Sequence, residues 1–142
     1  MSEIPHDQLN QNLVDLLNEW KLQKVWRGTI EERKQKFMWI HEHMKILFNK
    51  PDLQLIFGEI TEETERIPGS SGTSFYDPVH NLIKINGKLS VITFLHEWGH
   101  ALGMSQTETV DWSWLHFKTC FPVSASRLEQ SIGTMFVKKS RK

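Results

Sequence analysis

At 142 residues, with 17 Lys and Arg balanced by 17 Asp and Glu, the chain reads as one domain with no global pull toward nucleic acid or an anionic membrane. The single cysteine, Cys120, excludes an intrachain disulfide and fits a reducing compartment. No apolar run reaches membrane-spanning length, and the first residues lack the cationic start and apolar core of a signal peptide, so a cytoplasmic setting is expected.

Periodicity predicts a first amphipathic helix from about Asp7 to Val25, with Leu13, Leu16, Leu17 and Trp20 at i, i+3, i+4, i+7 and Gly28 as the stop. Thr29 and Glu32 form a capping box that opens a second helix, which Asn49-Lys50-Pro51 ends. Its charge run, Glu31 to Lys36, is expected to be a solvated face. His41 and His43 are two apart, are expected at the surface, and are poor partners for one metal. Leu53, Leu55 and Phe57 alternate as in a strand, and Thr61 to Gly72 reads as a loop. Thr73 to Tyr76 looks extended, Asp77-Pro78 turns, and Leu82 to Ile85 is a returning strand.

The next helix starts near Ser90 and carries Thr93-Phe94-Leu95-His96-Glu97-Trp98-Gly99-His100-Ala101-Leu102-Gly103. Four residues apart on a helix, His96 and His100 share one face, where two imidazoles can grip one Zn²⁺ at roughly 2.0–2.1 Å. Glu97 projects beside the metal, where a carboxylate takes a proton from water and returns it to the leaving amine. Val91, Ile92, Phe94 and Leu95 turn this helix inward, so the histidines are expected to face a cleft. Trp98 is expected to pack. Gly103 is placed to end the helix.

Catalytic zinc sites usually hold three protein ligands plus water. Three candidates follow for the third: Gln106, Glu108 and Asp111. Glu108, a carboxylate, is the strongest donor on chemical grounds. It also fits a capping box, Ser105-Gln106-Thr107-Glu108, in which it bonds back to the Ser105 N–H. Asp111 suits either orienting a histidine N–H or simple exposure. Tyr76 and His80 lie on the preceding hairpin, where core or surface placement competes with donation over the cleft. His116 lies two turns below Glu108 and suits packing, as do Trp112, Trp114, Phe117 and Phe121. Ser126 and Glu129 suit the start of a last helix carrying Leu128, Ile132, Met135 and Phe136.

The His96-Glu97-Trp98-Gly99-His100 pattern resembles the HExxH signature of zinc metallopeptidases, the zincins. Its continuation to Gln106 is similar to the metzincin pattern, with Gln where that group has a third histidine. Asn81 to His96 and Glu108 to Pro122 resemble the strand-then-helix approach and the glutamate helix of compact prokaryotic and phage gluzincin-like proteins, some of which cut repressors. The resemblance covers about Gly72 to Pro122. It implies a small α+β zincin-like domain over residues 1–137: N-terminal helices, a short, mostly antiparallel sheet, and an HExxH helix followed by a glutamate-bearing helix. It also implies Zn²⁺ on His96, His100 and Glu108, Glu97 as general base, and hydrolysis of a protein or peptide substrate. The alternative is a catalytically silent zincin-fold module that binds a partner protein. Residues 138–142 form a basic tail, expected to be a solvating one, with nucleic-acid contact the lesser reading.

Overall fold

A computed structural model describes residues 4–66 and 74–132. Helix α1 (Gln11–Lys21) starts after Asn10, whose side chain accepts the Leu13 N–H, four residues later than the expected start. It also stops early: the chain turns through Lys24 (φ 58°), and Gly28 (φ 106°) serves the entry to the next helix instead. Helix α2 (Ile30–Leu47) opens on the expected Thr29–Glu32 capping box, both of whose bonds are made.

Strand β1 (Gln54–Phe57), the short helix α3 (Glu62–Arg66), β2 (Phe75–Asp77) and β3 (Leu82–Ile85) follow. The sheet order is β1-β3-β2. The expected hairpin is present, Phe75 opposite Lys84 and Asp77 opposite Leu82. The sheet is mixed instead of mostly antiparallel, because β1 runs parallel to β3, with Leu55 beside Ile83. A parallel pair needs a long crossover, and the chain between β1 and β3 carries α3 and then β2, which takes the far edge.

Helices α4 (Val91–Ala101), α5 (Gln106–Cys120) and α6 (Pro122–Ile132) complete the described residues. Helix α6 starts at Pro122, ahead of the expected Ser126, because proline's fixed φ and missing N–H suit the first helical position. Met135, Phe136 and the tail 138–142 lie outside the described residues. Helix α4 packs against α5, β2 and β3, while α1 packs against α2 and α5. Edge-to-face aromatic contacts tie these layers: Trp20 to Phe37 at 5.1 Å, Phe37 to Phe94 at 5.6 Å and Trp20 to Phe121 at 6.1 Å between ring centroids. Trp98, Trp112, Trp114, Phe117 and Phe121 are buried, as expected of a packing stripe.

Two placements on α2 differ from expectation. His41 is fully buried, donating from Nε2 to the Leu53 carbonyl (2.9 Å) and accepting the Trp98 indole N–H at Nδ1 (3.2 Å). Arg33, inside the charge run, is also buried: it pairs with Glu65 and donates to the Val25 and Leu89 carbonyls at 3.2 and 3.1 Å. Both lie on the stripe of Phe37, Ile40 and Met44 that faces the core. Among the described residues no helix is long and apolar enough to cross a membrane.

Candidate metal centre and active site

Helix α4 is apolar nearly all round, so it is buried on every face; only Thr93 and His100 are less than fully covered. Ser90 caps its start by accepting the Thr93 N–H. The helical spacing stacks His96 and His100 on consecutive turns, ring centroids 4.9 Å apart and planes at 83°. Gly103 then adopts φ 94°, a conformation that costs a residue with a Cβ. Its N–H bonds the His100 carbonyl and the Met104 N–H bonds the Gly99 carbonyl, each at 3.0 Å, which is a Schellman turn. The turn reverses the chain at once. Ser105 caps α5, and Gln106 becomes its first residue, facing the histidines.

The Gln106 Oε1 atom lies 3.2 Å from His96 Nε2 and 3.0 Å from His100 Nε2. The other nitrogen of His100, Nδ1, is 3.1 Å from the Met104 carbonyl, which can only accept. In the neutral ring the proton therefore sits on Nδ1, and the Nε2 lone pair points at an amide oxygen. The Gln106 amide can meet that lone pair with its NH2 group, or its oxygen and the two imidazoles can take a cation together. Donors about 2.1 Å from a tetrahedral Zn²⁺ lie about 3.4 Å from each other, so the separations of 3.2 and 3.0 Å need to open by only a few tenths of an ångström. The residues present therefore fit a zinc ion.

Glu108 is elsewhere. Its carboxylate accepts the Ser105 N–H at 2.9 Å, its own N–H bonds Ser105 Oγ at 3.2 Å, and its other oxygen lies 3.9 Å from His6. The capping box thus claims the carboxylate that the sequence suggested as third ligand, and the backbone bond holds it below the usual carboxylate range. Asp111 faces His6 at 3.8 Å, and it is the Met104 carbonyl, not Asp111, that orients His100. Among the described residues no third His, Cys, Asp or Glu joins the histidine pair.

Glu97 is 7% exposed, and burial pushes its carboxyl up to about 7, against the opposing pull of His100 and of a hydrogen bond from the Tyr76 backbone. That bond connects the base to the edge strand β2. A cleft of about 660 Å³ opens between Ser74, Phe75 and Tyr76 on one side and His96, His100 and Gln106 on the other, with Glu97 on its wall. Tyr76 therefore borders the site. His80 does not: it is exposed and bonded to Asp77 at 2.7 Å. His116 is a packing residue, fully buried, with Nδ1 on the Trp112 carbonyl (2.8 Å) and Nε2 accepting the Asn10 N–H (2.9 Å).

Two positions that the sequence reading did not single out hold the site together. Thr109 Oγ1 donates to the His96 carbonyl at 2.6 Å, locking α5 onto α4. Gly99 makes the approach possible, since a Cβ there would meet Thr109 Oγ1 at 1.8 Å. The signal for Gly99 is its position inside the motif, between the two histidines; nothing in the local pattern marks Thr109. Comparison with protein-family models, with curated proteins and with solved structures finds no match to this chain.

Proposed function

We propose that the protein is a zinc-dependent endopeptidase whose metal is held by His96, His100 and Gln106, with Glu97 as general base. The observation that carries this reading is the convergence of Gln106 Oε1 on both imidazole Nε2 atoms at 3.2 and 3.0 Å beside a buried carboxylate. When bound, zinc supplies Lewis acidity that polarises the scissile carbonyl and acidifies water. Glu97 accepts the proton of the attacking water. Burial, which raises its carboxyl, makes it the stronger base for that step, and it then delivers the proton to the far more basic leaving nitrogen. The Tyr76 N–H holds the carboxylate in line with the cleft. The cleft is walled by an edge strand, as suits an extended polypeptide.

A silent binding module has no use for a buried carboxylate on the cleft wall beside the histidine pair, and this favours turnover over that rival. Cys120 is buried with its thiol pushed up to about 11, so it plays no nucleophilic part and suits a cytoplasmic setting. The test is Glu97→Gln: it should bind zinc as wild type does while cleavage of an unfolded protein substrate falls by about 10²-fold or more. Cleavage by the variant at the wild-type rate would refute the assignment.

A further inference from the structure

The donors at this centre carry no negative charge. Two imidazoles and one amide oxygen converge, with Glu97 beside them as the base and not a ligand, while the acids that follow are committed elsewhere: Glu108 to the Ser105 N–H and His6, Asp111 to His6. An amide oxygen is a weaker base than a carboxylate, and with it no ligand offsets the double charge of the cation. A full negative charge at ligand distance from Zn²⁺ is worth about a hundredfold or more in affinity even with water-like screening.

We infer that Gln106 is a deliberately weak third donor and that the metal is exchangeable, so that the free Zn²⁺ level sets how much of the protein is loaded. This regulation rests on the zinc reading above. The turn at Gly103 keeps the amide in place whether or not the cation is present, since its Schellman bonds are backbone bonds and the α5 cap is made by Ser105 and Glu108. The site is thus preformed and loosely held. Uptake and release of the ion need no refolding of either helix.

The experiment is competition for Zn²⁺ between the folded full chain and a chromogenic chelator, with folding monitored by circular dichroism. Wild type should surrender zinc at chelator concentrations that leave Gln106→Glu loaded, with the variant about 100-fold tighter. Gln106→Ala should bind more weakly than wild type, and Glu108→Gln, which keeps the capping box, should match it. Equal affinities for wild type and Gln106→Glu would overturn the inference and leave the peptidase standing, as would weakening by Glu108→Gln equal to that by Gln106→Ala. A folded wild type that takes up no zinc at all would instead remove the functional reading on which the inference rests.

Discussion

Replacing Gly99 by alanine tests the packing that builds the centre, because two physical effects there have opposite signs. Helix propensity alone favours alanine over glycine by about 1 kcal/mol. The structure opposes it: the new Cβ would lie 1.8 Å from Thr109 Oγ1 and 2.7 Å from Thr109 Cβ, where ordinary contact begins at 3.4 Å. Rotating Thr109 relieves only the hydroxyl contact and breaks its buried bond to the His96 carbonyl, worth about 1–3 kcal/mol once the carbonyl is left unpaired. The Cβ contact requires α5 to move, an overpacking cost of about 1–3 kcal/mol. The net expectation for Gly99→Ala is destabilisation by about 2–4 kcal/mol, or a Tm lower by roughly 5–15 °C for a domain of this size. Thermal and urea unfolding measure it. A Thr109→Ala partner closes a double-mutant cycle: in the Gly99→Ala background it should cost less than in wild type, because it removes the closest clash. Gly99→Ala as stable as wild type, or additive costs around the cycle, would refute the reasoning.

His41 and His116 are buried as neutral rings, each with one donating and one accepting nitrogen, and burial lowers both from the ordinary 6.5. The unfolded chain then binds more protons just below pH 6.5, so their contribution is full above that value and is lost as pH falls. Urea midpoints should be lower at pH 5.5 than at 7.5 in a Glu97→Gln background, which removes a group shifted the opposite way; equal midpoints would contradict this. Gly103→Ala places a Cβ at φ 94° and should cost about 1–2 kcal/mol while loosening zinc, read by chelator competition; unchanged affinity would detach the turn from the site. Arg33→Met leaves the half-buried Glu65 without its ion-pair partner and the Val25 and Leu89 carbonyls without that donor, and should destabilise by about 2 kcal/mol, measured by urea unfolding, with a loss under about 1 kcal/mol counting against it.

The helices were legible where a cap and a periodic face coincided. Thr29–Glu32 and Ser90 mark starts that the structure keeps, and Gly103 marks a real end. Where only a face was visible, as before α1, the boundary moved to the residue able to cap, Asn10. His41 and Arg33 were misplaced by residue type, although their spacing from Phe37 and Met44 already put them on the buried stripe; periodicity outranks polarity when a partner such as Trp98 or Glu65 lies across the core. The parallel pairing of β1 with β3 joins segments far apart in the chain, and no local pattern encodes it. At the site, the stacking of His96 on His100 with Glu97 beside them was legible because their geometry is fixed within one helix. Which residue faces the pair was not, since Gln106 and Glu108 are only two positions apart and only the turn's backbone decides which one points back.

Every proposed ligand lies in the one stretch from His96 to Gln106, folded back on itself at Gly103. A bridge across so short a span restricts little of the unfolded chain, so the ion acts as a local clasp and not as a staple for the whole domain. It should slow amide hydrogen exchange at the seam where α4 ends and α5 begins and leave the strands exchanging as before. On the proposed reading, the protein sheds such an ion and keeps its shape.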